Sequence, residues 1–82
     1  MEKVGYIDFI GQVSSFSGYT SQTVTSVLES AAVTVRKNLD NGKATTVFKG
    51  MVVYPATKKD CNTTFARARF GKFFKDLNSA IL

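Results

Sequence analysis

The side chains of this chain that can do chemistry are mainly cations. Eight of its eleven lysines and arginines fall from position 43 onward: Lys43, Lys49, Lys58, Lys59, Arg67, Arg69, Lys72 and Lys75. Only Asp60 and Asp76 oppose them there, which leaves +6, whereas Lys3, Arg36 and Lys37 against Glu2, Asp8, Glu29 and Asp40 leave residues 1–42 at −1. Clustered, weakly opposed cations attract a polyanion, nucleic acid first and an anionic membrane surface second. Covalent chemistry is poorly supplied. There is no histidine for general acid–base work, the six carboxylates are scattered, and neither a nucleophile motif nor a glycine-rich phosphate loop is present. Cys61 follows Lys58, Lys59 and Asp60, whose cations favour thiolate, but it has no base or oxyanion device and reads as an incidental exposed thiol. With one cysteine and no histidine, the expectation is no internal disulfide, no zinc site, no cofactor, no enzymatic activity and no small-molecule substrate.

The elements that must position these cations are legible from periodicity. From Thr20 to Leu39, the residues Val24, Val27, Leu28, Ala31, Val35 and Leu39 fall in one arc of a helical wheel. Thr20 and Ser21 can cap its N-terminus, Arg36 and Lys37 suit the negative end of its dipole, and Asn41-Gly42 stops it. A shorter helix is expected over 5–16, with Tyr6, Phe9, Ile10, Val13 and Phe16 as packing residues and Gly18 as a left-handed cap. After Gly42 the chain becomes β-branched and aromatic through Thr45–Phe48 and Met51–Tyr54, one strand or two interrupted near Gly50, with Gly50 suggesting a bulge, a bend or a close backbone approach. Pro55 is expected to end that run. The stretch 56–62 then reads as a loop, and 63–70 as a return strand on which Phe65, Arg67 and Arg69 face one way and Thr64, Ala66, Ala68 and Phe70 the other. A final helix is expected from Lys72 to about Ile81, with Phe73, Phe74, Leu77 and Ile81 on its apolar side.

The expected class is therefore α+β: two N-terminal helices, a short β-sheet or hairpin, and a C-terminal helix, in one domain of 82 residues. It divides into a helical half, 1–42, and a basic strand–hairpin–helix half, 43–82. A chain this short buries only roughly 60% of the surface its unfolded form exposes, so a second copy is the obvious way to complete the core. No signal peptide or apolar membrane span is evident, and a lone thiol suits a reducing compartment; the expectation is a soluble, intracellular protein.

This order of elements, with three local strings, resembles the bacterial histone-like family of HU and integration host factor. Ser17-Gly18-Tyr19-Thr20 is similar to the break between that family's first two helices. Phe48-Lys49-Gly50 is similar to its Gly-Phe-Gly turn, with the first glycine replaced by Phe48 or missing. Arg69-Phe70-Gly71-Lys72-Phe73-Phe74-Lys75-Asp76 is similar to the Lys-Pro-Gly-Lys-x-x-Lys-Asp string that opens its last helix, with Phe70 in place of proline.

The resemblance implies an intertwined homodimer whose helices form a body and whose strands form a saddle for double-stranded DNA. It also implies β-ribbon arms, but here only a short segment separates the two strands, and Pro55 lies too near Gly50 to be an arm tip. An intercalating role is therefore not carried onto Pro55. The expected contacts are Arg67, Arg69 and Lys49 on the saddle floor, Lys72 and Lys75 at its side, and Lys58 and Lys59 along the loop. They would bind phosphates with low sequence specificity and limited bending. The implied location is a nucleoid, or a host cytoplasm if the chain is viral. Two other readings stay open: an interaction protein that forms heterodimers with a related histone-like protein, and an RNA binder that stacks bases on Tyr54 or Phe65.

Overall fold

Local capping decides where the helices begin and end. In the computed structural model, which describes residues 1–58 and 63–75, α1 spans Tyr6–Ser17 and α2 spans Ser21–Asp40. Gly18 takes a left-handed conformation at φ 82° and donates its N–H to the Ser14 carbonyl at 3.0 Å, which closes α1. Two residues later Thr20 caps α2, its Oγ1 accepting the Thr23 N–H at 3.2 Å. The far end of α2 is closed by Gly42 at φ 72° and by the Lys43 N–H, which donates to the Asn38 carbonyl at 2.8 Å. The Asn38 side-chain amide then donates to Thr45 Oγ1 at 3.0 Å, tying the helix end to the first residue of the sheet. The chain is α+β as expected from its sequence: two helices, a three-stranded antiparallel sheet and a short third helix.

The sheet runs in the order β1 (Thr45–Phe48), β2 (Met51–Thr57), β3 (Thr64–Phe70). β1 and β2 are two strands joined by the Lys49-Gly50 turn, in which Gly50 adopts φ 92°, and the pairing slips between Thr46 and Phe48 in a bulge-like irregularity. Pro55 does not end β2. It pairs with Ala66 of β3 inside the strand, and β2 continues to Thr57. The reason is positional: β1 pairs with β2 only as far as Val53, so at Pro55 the sheet is two strands wide, and a residue without an N–H is tolerated at such an edge. The Lys58 N–H still reaches the Thr63 carbonyl at 3.0 Å, so the ribbon extends beyond the expected loop start at Ala56.

The chain divides into two compact units, Met1–Ala32 and Val33–Leu82, with the boundary inside α2. In the first unit the core is very small. Ile10 of α1 and Val24 of α2, 5% and 6% exposed, are the buried hydrophobic residues among those described. Of the residues expected to pack on α1, Ile10 is buried and Val13 half-buried, but Tyr6, Phe9 and Phe16 are exposed, Phe16 at 96%. Position around the helix accounts for Phe16, six residues past Ile10 and about 120° away, but not for Tyr6, which lies only about 40° from Ile10. On α2 the apolar arc is only partly covered. Leu28, Val35 and Leu39 are half-buried, while Ala31 and Val27 are exposed, Val27 at 62%. An apolar groove of about 370 Å³ opens beside Val13, Tyr19, Val24, Val27 and Leu28. No described helix is long and apolar enough to cross a membrane.

Candidate nucleic-acid interface

Strand register assembles the basic face. β2 and β3 pair Val52 with Arg69, Tyr54 with Arg67 and Ala56 with Phe65, and because side chains alternate across a strand these six residues share one face. Met51, Val53, Pro55, Ala66, Ala68 and Phe70 occupy the other. Arg67 and Arg69 therefore stand side by side on an exposed strand, as the alternation of β3 predicts. Among the described residues the ion pair is Arg36–Asp40 on α2, at 3.2 Å, so neither sheet arginine has a carboxylate partner. Arg69 instead places its guanidinium carbon 5.7 Å from the centroid of the Tyr54 ring.

The corner at the start of α3 (Lys72–Lys75) is built on two glycines. The Gly71 N–H donates to the Gly50 carbonyl at 2.6 Å, which seats the start of α3 against the β1–β2 turn. That bond occupies the Gly71 N–H. A Cβ placed on Gly50 would lie 2.9 Å from the Phe73 Cβ, so the approach leaves no room for a side chain. Phe74 meets Phe48, Phe70 and Phe73 at ring-centroid distances of 6.4, 6.3 and 5.1 Å, an aromatic cluster that joins β1, β3 and α3. Lys49 lies in the turn, not on a strand as expected for a saddle floor, and its Nζ sits 5.8 Å from the Phe73 ring centroid.

These placements order the cations along the ribbon. Lys49 and Lys72 stand at the Met51–Phe70 end, Arg69 and Arg67 follow on the face, and Lys58 lies just past the Thr57–Thr64 end. The length of β2 makes this track roughly 20 Å long, a span on the order of six base pairs of duplex. Continuing the alternation by one residue puts Lys58 on the arginine side. Lys72 and Lys75 are exposed on α3. Lys59, Cys61 and the expected helix beyond Lys75, with Leu77 and Ile81, lie outside the described residues. Tyr54 is half-buried with Arg69 over its ring, which leaves less of it for base stacking than its position in the sequence suggests, whereas Phe65 is exposed on the same face. The Tyr54–Arg69 contact was hidden in the sequence, because it depends on the β2–β3 register; the Arg-x-Arg alternation was the available signal, and it marks only one of the two strands.

No protein-family model and no curated protein sequence matches this chain.

Proposed function

We propose that this protein binds double-stranded DNA through its phosphate backbone, with little sequence preference, as a small architectural protein of HU-like type. The observation that carries the reading is the pair Arg67 and Arg69, adjacent on one exposed sheet face without a carboxylate partner among the described residues. Guanidinium groups offer planar arrays of donors suited to phosphate oxygens. Lys49, Lys72 and Lys75 extend the positive field at one end of the ribbon and Lys58 at the other, with Lys59 next in sequence. A track of this kind contacts backbone and not base edges, so affinity is tied to salt and the bases are read weakly. The working unit is a homodimer: a helical pair with Ile10 and Val24 as its buried hydrophobic residues and Phe16 and Val27 exposed needs apolar cover, and a second copy supplies it. The short ribbon supports limited bending of the duplex.

The test is fluorescence anisotropy of a labelled random-sequence duplex titrated with protein at several salt concentrations. Submicromolar binding at low salt, with log affinity falling linearly in log salt by about 0.9 per neutralised phosphate, is the expected result. Flat or absent binding at low salt rejects it. A second reading, an interaction protein that pairs with a related histone-like chain, is favoured by the same exposed apolar residues of the helical unit. Mixing with a full-length relative separates the two: stable heterodimers that no longer hold duplex support interference, and persistent homodimers that bind duplex support the first reading.

A further inference from the structure

Two of the cations toward the Met51–Phe70 end of the sheet, Arg69 and Lys49, share an unusual choice of partner. Arg69 lies over the ring of Tyr54 at 5.7 Å and Lys49 over the ring of Phe73 at 5.8 Å, and among the described residues neither meets a carboxylate. The contrast within the same chain is Arg36, which is paired with Asp40 at 3.2 Å and so has its charge compensated. A carboxylate would hold a guanidinium firmly but would also neutralise it, and an incoming phosphate would have to displace it. An aromatic ring attracts a cation through its quadrupole and brings no net charge. It restrains the side chain while leaving the full positive charge for a polyanion.

The geometry points to Tyr54 as a positioning residue for Arg69: its ring holds the guanidinium ready over the sheet face, so that less side-chain freedom is lost when a phosphate binds. This rests on the reading of the sheet as a duplex-binding face. The register makes the arrangement specific. Tyr54 stands directly opposite Arg67 and diagonally across from Arg69, and a diagonal neighbour on an antiparallel pair is within reach of long and aromatic side chains. Tyr54 is half-buried and can act as the fixed member, while Arg69 is exposed and has the mobility to lose. Ordering a rotamer-rich side chain before binding strengthens association without adding a contact to the partner.

The prediction is therefore a change in affinity without a change in the number of phosphates neutralised. Tyr54→Leu is expected to weaken duplex binding by about 2- to 5-fold with an unchanged salt slope. Tyr54→Phe, which keeps the ring and removes the hydroxyl, is expected to bind as the wild type does. Arg69→Gln is expected to weaken binding and also to lower the salt slope by about 0.9. In the Arg69→Gln background, Tyr54→Leu is expected to have no further effect, the non-additivity that marks two residues acting as a unit.

An additive cycle in a wild type that binds DNA, or equal losses for Phe and Leu at position 54, overturns the positioning role and leaves the duplex-binding reading intact. Failure of the wild type to bind at low salt overturns both. Nuclear magnetic resonance of the free protein tests the contact without DNA. Upfield ring-current shifts of the Arg69 δ-methylene should be present in wild type and Tyr54→Phe and lost in Tyr54→Leu. Their absence from the wild type overturns the inference whatever the DNA experiment gives.

Discussion

The helical unit, Met1–Ala32, and the sheet-bearing unit, Val33–Leu82, are each incomplete, and in different currencies. The helices lack apolar cover: Ile10 and Val24 are buried, while Phe16, Tyr19 and Val27 stand open to water. The sheet lacks countercharge: Arg67 and Arg69 face solvent with no carboxylate among the described residues to meet them. Exposed apolar surface calls for protein, whereas uncompensated cations call for a polyanion. One small chain therefore carries two surfaces of different chemistry, and substitutions on the sheet face should leave the oligomeric state nearly untouched.

The largest effect expected is on the helical side. Ile10→Ala removes one of the two buried hydrophobic residues in that unit and should cost about 2–5 kcal/mol, a large part of a small domain's stability. Urea denaturation followed by circular dichroism will measure it. Phe16→Glu makes the sharper comparison, because Phe16 is 96% exposed in the single chain and its replacement should cost the isolated protomer little. If a second copy covers Phe16, the variant should abolish the concentration dependence of Tm and move the sedimentation coefficient to that of a monomer. An unchanged dimer would place the covering surface elsewhere.

On the sheet side, Arg67→Glu with Arg69→Glu should weaken duplex binding on the order of 10- to 100-fold, the scale of losing charge-assisted hydrogen bonds. The exposed strand should tolerate the exchange, with the urea midpoint and the sedimentation behaviour retained. Retained affinity would mean that the cations act from another face. Loss of the dimer together with DNA binding would break the division between the two surfaces.

What could be read from the sequence depended on how local each signal was. Gly18, Thr20 and Gly42 act on their own backbone within a turn, and the limits of α1 and α2 followed to within a residue or so. The arginine face was equally legible, since a period of two along β3 settles which side chains share a face. Pro55 was misread as the end of a strand because its tolerance depends on where β1 stops, a fact about a neighbour and not about Pro55. Phe16 was read as packed because periodicity identifies an apolar side but not the element that covers it. Lys49 was placed on the saddle floor and belongs to a turn, the one that the likeness of Phe48-Lys49-Gly50 to Gly-Phe-Gly had indicated.

The smallest effect, and the one that probes the corner beneath the basic end, compares two glycines. Gly50 sits at φ 92°, where a side chain is disfavoured by roughly 1–2 kcal/mol. An added Cβ would also meet the Phe73 Cβ at 2.9 Å, an atom on the main chain's own branch that can retreat only if α3 moves. Gly71 is constrained differently. An alanine there would approach the Gly50 Cα and carbonyl oxygen at 3.5 Å, ordinary van der Waals contact. Gly50→Ala should therefore lower stability by at least about 1–2 kcal/mol and displace Lys49 and α3 from the end of the ribbon. Gly71→Ala should stay within about 0.5 kcal/mol. Parallel thermal melts, with duplex affinity measured on both variants, will check the pair. Equal losses at the two positions would show that the corner depends on close approach at both glycines and not on the left-handed turn at Gly50. If Gly50→Ala weakens DNA binding more than its stability loss explains, the turn is placing Lys49 and Lys72 for the duplex as well as joining two strands.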